Sequence, residues 1–198
     1  MEKSVSRKEA LALLRLARAS IAAKFKGKNE DAEILSIDIP GVFLTQKKGV
    51  FVTLHKKGHL RGCIGNIEPM KTLVNGIKEN AISAAFKDSR FSPLTPDELT
   101  LIDIEISILS TPEKMAYQDT RDLLSHLKPG VDGVIIEKDH CRATFLPQVW
   151  EQLPEAADFL GHLCVKAGLP ANEWKKGGLT LHTYQVQSFG EIDENTHF

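Results

Sequence analysis

The sequence has no long apolar run, no surplus of charge and almost no cysteine. No stretch approaches the ~18 consecutive apolar residues of a membrane span, so no membrane association is expected. The first 30 residues hold no secretory core and no small-residue cleavage site, which predicts a cytoplasmic protein. Lys and Arg number 25 and Asp and Glu 26, a formal net charge of −1. A protein held on nucleic acid through phosphates usually carries a basic excess, so the charge disfavours that role. The three cysteines, Cys63, Cys141 and Cys164, are widely spaced and form no CxxC pair. That argues against a disulfide framework and suits a reducing compartment. His140–Cys141 and His162/Cys164 come nearest to metal-ligand spacing, but neither supplies four ligands at the usual intervals, so no metal is expected. What is present is ordinary: 198 residues, 42% hydrophobic and 26% charged, enough for a core without staples.

Periodicity places the elements. Residues 6–26 read as a helix, with Ser6 and Glu9 as a capping box and Leu11, Leu14, Ala17, Ile21 and Phe25 along one face. Gly27 is its expected stop. Arg7, Lys8, Arg15, Arg18, Lys24, Lys26 and Lys28 crowd this stretch with only Glu9 opposing them. A basic patch for RNA or an acidic partner is one reading, and a solvated helix face is the commoner one. Short β-rich runs at 42–45, 50–55 and 59–65 are divided by glycine turns, the mark of antiparallel hairpins. Helices are expected at 70–86, from Thr95-Pro96, from a Thr120 cap to Leu127, and at 154–167. Ile102, Ile104, Ile106 and Ile108 alternate with Asp103, Glu105 and Ser107, so residues 101–109 form a strand with one buried face. A hairpin at 134–137 and 141–145 and a last strand at 179–188 complete the list. Helices and hairpins mixed in this way predict an α+β fold, an antiparallel sheet flanked by helices. The Pro- and Gly-rich stretch at 110–133 is where the chain would cross between two lobes.

The segment with most chemical content is Leu60-Arg61-Gly62-Cys63-Ile64-Gly65. Two glycines three apart permit positive φ and close backbone approach. A cysteine between them would sit beside exposed N–H groups, as in an oxyanion hole, and a neighbouring cation such as Arg61 favours a thiolate. The plainer reading makes Cys63 a small buried hydrophobe with glycines placed for packing. The GxxG pattern also matches a KH loop, but that loop joins helices and this context is strand-like. His55 and His59 flank a turn nearby and are candidate bases.

These residues lie in a longer pattern. Leu60–Gly65 resembles the signature of the AMMECR-domain family. Ala85-Phe86-Lys87-Asp88-Ser89-Arg90-Phe91-Ser92-Pro93-Leu94, with Glu98-Leu99 after it, resembles the next block. Gly130-Val131-Asp132-Gly133-Val134 and Ala143-Thr144-Phe145-Leu146-Pro147-Gln148-Val149-Trp150 resemble two more. Phe159-Leu160 and Lys166-Ala167-Gly168-Leu169 close the set. The resemblance covers residues 7–190 and is to prokaryotic members of the AmmeMemoRadiSam system protein A type. It implies one α+β domain over 7–190 with a larger and a smaller intertwined lobe. Memo-like and radical SAM proteins are the implied partners, and both modification chemistry and nucleic-acid binding have been suggested for the family. The cofactor, if any, is left open by the resemblance.

Placed on these blocks, Cys63 is the candidate nucleophile or thiol ligand, and Arg61 its tuner or an anion binder. Asp88 and Arg90 suit an anion clamp or a general base with its orienting partner, and a structural pair fixing the turn before Pro93 explains them equally well. Gly62, Gly65 and Glu105 would line the substrate, although Glu105 also fits a plain solvent-facing strand position. Turn chemistry accounts for Asp132, and packing for Pro147 and Trp150. Three functions follow: an enzyme using Cys63 in a cleft on an anionic or carbonyl-bearing substrate, a module binding RNA or protein, and a non-catalytic subunit of a larger system.

Overall fold

Residues 4–26 and 36–192 are described by a computed structural model of the chain. They fall into two compact units. The first runs to Leu109 and resumes at Gln187, and the second spans Ser110–Val186.

The first unit is built on a four-stranded sheet. Its strands are β1 (Val50–Lys56), β2 (His59–Asn66), β3 (Ile102–Leu109) and, from the end of the chain, β8 (Val186–Gly190), in the order β2-β1-β3-β8. β1 pairs antiparallel with both neighbours. Lys57 and Gly58, both at positive φ, make the two-residue β1–β2 turn, where a left-handed backbone matches the twist of the strands. Val50, Val52 and Leu54 of β1 and Ile102, Ile104 and Ile106 of β3 are buried on one face, as their alternation predicts. Each such side chain contributes roughly 1.5–3 kcal/mol by leaving water. They share a core with helices α1 (Arg7–Lys26) and α3 (Leu73–Phe86). Ser6 and Glu9 close the expected capping box on α1, and the Thr72 side chain caps α3. The Gly27 stop lies outside the described residues.

Three expectations are corrected. Residues 42–45 form a one-turn helix, α2 (Gly41–Thr45), rather than a strand. Pro40 sets its start, the Gln46 N–H closes onto the Val42 carbonyl, and only Phe43 reaches the core. The strand at 179–188 is two, β7 (Thr180–Tyr184) and β8, divided at Gln185 and belonging to different sheets. The helix after Gln118 is capped by Asp119, whose carboxylate accepts the Arg121 and Asp122 N–H groups, and not by Thr120.

The second unit has its own sheet, β4-β7-β5-β6, with β4 at Glu113–Met115, β5 at Gly133–Lys138 and β6 at Cys141–Phe145. Helices α4 (Thr120–His126) and α5 (Ala156–Lys166) supply Leu123, Phe159, Leu160 and Leu163 to its core. Trp150 stacks on Phe159 at 3.7 Å, and its indole N–H donates to the Asp132 carbonyl at 2.7 Å. Asp132 in turn accepts the Lys128 N–H at 2.9 Å. Two motif blocks of the sequence thus meet as packing. Among the described residues no helix is long and apolar enough to cross a membrane.

Gly62 shows how tightly β2 sits on α3. A Cβ there would lie 2.2 Å from the Ala84 carbonyl oxygen, a backbone atom with no freedom to give. Gly62→Ala is therefore expected to cost ~1–3 kcal/mol of stability by overpacking. Urea unfolding checks this, and an unchanged midpoint would show that the strand and helix can part without loss.

Candidate functional site

β2 is the edge strand of the first sheet, and Cys63 is paired with Thr53 of β1. Thr53 is also paired with Glu105 of β3, so Cys63, Thr53 and Glu105 form one cross-strand row. The row lies on the face opposite the core, because Val52 and Leu54 on either side of Thr53 are buried beneath the sheet. All three side chains are half-buried. The Thr53 hydroxyl donates to Cys63 Sγ at 3.3 Å. Next along the same face, Ser107 and Ser188 share a hydrogen bond of 2.8 Å, and the Ser107 hydroxyl donates to Glu105 at 3.5 Å.

The outer edge of β2 is closed by side chains rather than by another strand. The Cys63 N–H donates to Asp88 Oδ2 at 2.9 Å, and Arg90 Nη2 donates to the Cys63 carbonyl at 3.4 Å. Asp88 is 4% exposed and also accepts the Arg90 N–H, Nε and Nη2. Hydrogen bonds from the Arg90 guanidinium, then those from the Cys63 and Arg90 N–H groups, hold its carboxyl well below the usual carboxylate range. The Asp88 bond likewise raises Arg90. A carboxylate so fully engaged is a poor proton acceptor at neutral pH, so the general-base role for Asp88 is not supported. Its bonds define an edge clamp, which is also how unpaired strand groups are kept from other chains.

Arg61 is displaced from its expected place beside the thiol. The β1–β2 register passes from Leu54 opposite Gly62 to His55 opposite Leu60, which leaves Arg61 as a bulge. Its Nε and Nη2 donate to Glu98 at 3.2 and 2.9 Å. Glu98 also accepts Lys56 Nζ at 2.7 Å and the Thr95 N–H that completes its capping box. Arg61 and then Lys56 pull Glu98 down to about 2. The Phe91 ring is near both arginines, its centroid 5.9 Å from the Arg61 guanidinium carbon and 5.4 Å from that of Arg90.

Cys63, Arg61, Asp88 and Arg90 therefore join one network, and Glu105 stands beyond Thr53 on the sheet. Gly62 and Gly65 are not open to a ligand through their missing side chains. Gly62 faces Ala84, and the Phe51 ring covers Gly65, where a Cβ would lie 2.2 Å from Cγ. Neither takes the positive φ that the motif allowed. His55 lies on the sheet face of Thr53, paired with Asp103, and His59 is exposed at the start of β2, paired with Lys56. The sequence reading missed Thr53, Lys56 and Phe91 and gave Glu98 no role. The Thr95–Glu98 capping-box spacing was the one available signal.

Of the basic residues in α1, Arg18 is spent internally, on Glu191 and on the carbonyls of Leu99 and Ile102. Lys8 lies 3.6 Å from Asp38. A groove of about 690 Å³ runs along this helix past Leu11, Arg15 and Ile37 and does not include Cys63. Among the described residues no three His, Cys, Asp or Glu side chains are grouped as metal ligands.

The architecture is thus that of an α+β protein in which the sequence blocks at 60–65 and 85–99 meet at one sheet edge. The chain belongs to the AMMECR1 family, whose family model matches residues 14–189. It is similar to a protein of Methanothermobacter thermautotrophicus, 42% identical over 188 residues, covering 94% of this chain and 96% of the relative. A protein of Methanocaldococcus jannaschii is 40% identical over 91% of this chain and 89% of its own. The crystal structure of an uncharacterized protein from Pyrococcus horikoshii matches with a TM-score of 0.76 at 32% identity, over 93% of this chain and 92% of that one.

The ion pairs carry a pH signature. Because the folded state holds Glu98 below its ordinary value of 4.5, the stability it adds is complete above that value and is lost as pH falls toward about 2. Glu98→Gln is expected to be less stable than the parent at neutral pH and to lose less stability through that window. Urea unfolding across it is the check, and equal losses in both proteins would refute the assignment.

Proposed function

We propose that this protein is a cytoplasmic enzyme of the AmmeMemoRadiSam system, using Cys63 as a nucleophile in a modification reaction with Memo-like and radical SAM partners. The observation that supports it is the Thr53 hydroxyl donating to a half-buried Cys63 Sγ whose own backbone is clamped by Asp88 and Arg90. The clamp fixes the sulfur in place, and the donor helps to hold negative charge as it gathers there. In the step envisaged, the thiol proton passes to solvent and the sulfur electron pair forms an S–C bond to an electrophilic carbon of the substrate. The leaving group on that carbon departs with its bonding pair. Glu105, on the far side of Thr53, faces the same surface and lines the substrate. Arg90 is the arginine that touches Cys63, through its backbone carbonyl, since Arg61 is committed to Glu98. A nucleic-acid module has less support, because the basic run on α1 is partly spent on internal contacts.

Iodoacetamide labelling of the native protein, read by peptide mass spectrometry, tests the thiol. Cys63 is expected to react faster than half-buried Cys141 and far faster than buried Cys164. Thr53→Val should slow Cys63 by about fivefold, the equivalent of the ~1 kcal/mol of one hydrogen bond. A Cys63 no faster than Cys141, or untouched by loss of the hydroxyl, would remove the reading. Co-elution with purified Memo-like and radical SAM proteins on gel filtration is the matching test of the partners, and separate elution would count against them.

A further inference from the structure

Arg61 and Arg90 are used in the same way, and both have a donor left over. Arg61 gives Nε and Nη2 to Glu98, and Arg90 gives Nε and Nη2 to Asp88. Neither Nη1 is committed to a carboxylate. That of Arg61 is shut away from solvent with no hydrogen-bond partner. A buried donor left unpaired is costly, and the Phe91 ring beside it is a weak partner compared with an oxygen acceptor. Arg90 has more than half of its side chain exposed, so its free edge is open to approach.

Charge points the same way. The network holds three cations, Lys56, Arg61 and Arg90, against two carboxylates, Asp88 and Glu98. Both carboxylates are pinned in the ionised form, so the excess of one positive charge persists through neutral pH. Guanidinium groups offer donors only, and their planar edge matches a carboxylate or phosphate. The surplus cation lies in the Glu98 group, with Lys56 and Arg61, while the exposed arginine reaches the backbone carbonyl of Cys63 itself at 3.4 Å.

We infer that Arg90, with Arg61 near the same Phe91 ring, forms a subsite for an oxyanion group, carboxylate or phosphate, of the substrate that reacts at Cys63. The inference deepens the thiol reading and rests on it for the substrate's role, but anion binding can be measured without it. Inorganic phosphate and acetate, titrated separately at constant ionic strength into protein labelled with nitrogen-15, should shift the Arg90 and Phe91 N–H signals saturably. Whichever anion saturates first names the preferred group. Arg90→Lys keeps the charge but removes the spare guanidinium edge and should abolish saturation. Labelling supplies the second measurement. Relative to a free thiol, Cys63 should favour iodoacetate over iodoacetamide by roughly three- to tenfold, the scale of one nearby charge in a partly screened site. Phosphate should protect it more from iodoacetate than from iodoacetamide.

Linear, unsaturating shifts together with no preference for iodoacetate would overturn the subsite. Fast labelling by both reagents at the free-thiol ratio would overturn it while leaving the thiol reading intact. Saturable anion binding beside an inert Cys63 would do the reverse.

Discussion

The Asp88 carboxylate is the constraint on which the rest of the site depends. It accepts one N–H from the edge strand and three from Arg90, a residue two positions away. One buried acidic group thereby fixes the turn after α3, the outer edge of β2 and the direction of the Arg90 side chain. The arrangement is stable because every lone-pair direction is occupied by a donor and one of those donors is cationic. Charge burial is tolerated only on such terms. Without it, the Cys63 N–H would face outward unpaired, and Arg90 would have no reason to lie along the strand.

The second constraint is steric. Gly62 lets β2 approach α3 to contact distance, and Gly65 makes room for the Phe51 ring. Cys63 lies between them with its sulfur on the face away from α3, the face it shares with Gly65 and Phe51. The Arg-Gly-Cys-Ile-Gly motif is therefore mostly a description of packing. The bulge sends Arg61 to Glu98, the first glycine admits the helix, and the second admits an aromatic ring. Cys63 is the one motif side chain that is left facing Thr53.

That division explains what could be read from the sequence. The isoleucine alternation of β3, the capping box of α1 and the interspersed helices and hairpins all follow local rules, and they stand in the structure. The one-turn helix at 41–45 did not show itself, because Val42-Phe43-Leu44-Thr45 has strand composition and only the burial of Phe43 decides the matter. Cys63, Arg61, Asp88 and Arg90 were singled out by block, but the contacts that join them were not foreseen. Nothing in the spacing of Arg61 and Cys63 announces a bulge between their neighbours, and nothing at Asp88 announces that its carboxylate is already full. Thr53 was invisible because cross-strand register is a tertiary fact, fixed by the turn at Lys57-Gly58 and by the buried alternation of both strands.

The return of the chain at Gln187 has a consequence for synthesis. The first sheet takes its fourth strand from residues made after the whole of the second unit. Gln187 also holds the opposite end of the chain, accepting the Val5 N–H at 2.8 Å and donating to the Val5 carbonyl at 2.9 Å. The second unit is continuous, and Ser110 and Gln185 at its two ends are hydrogen-bonded to each other. A ribosome therefore releases a complete inner module before the outer one has its last strand. Cys63 and its neighbours emerge early but wait on Val186–Gly190 for the sheet that carries them to gain its fourth strand.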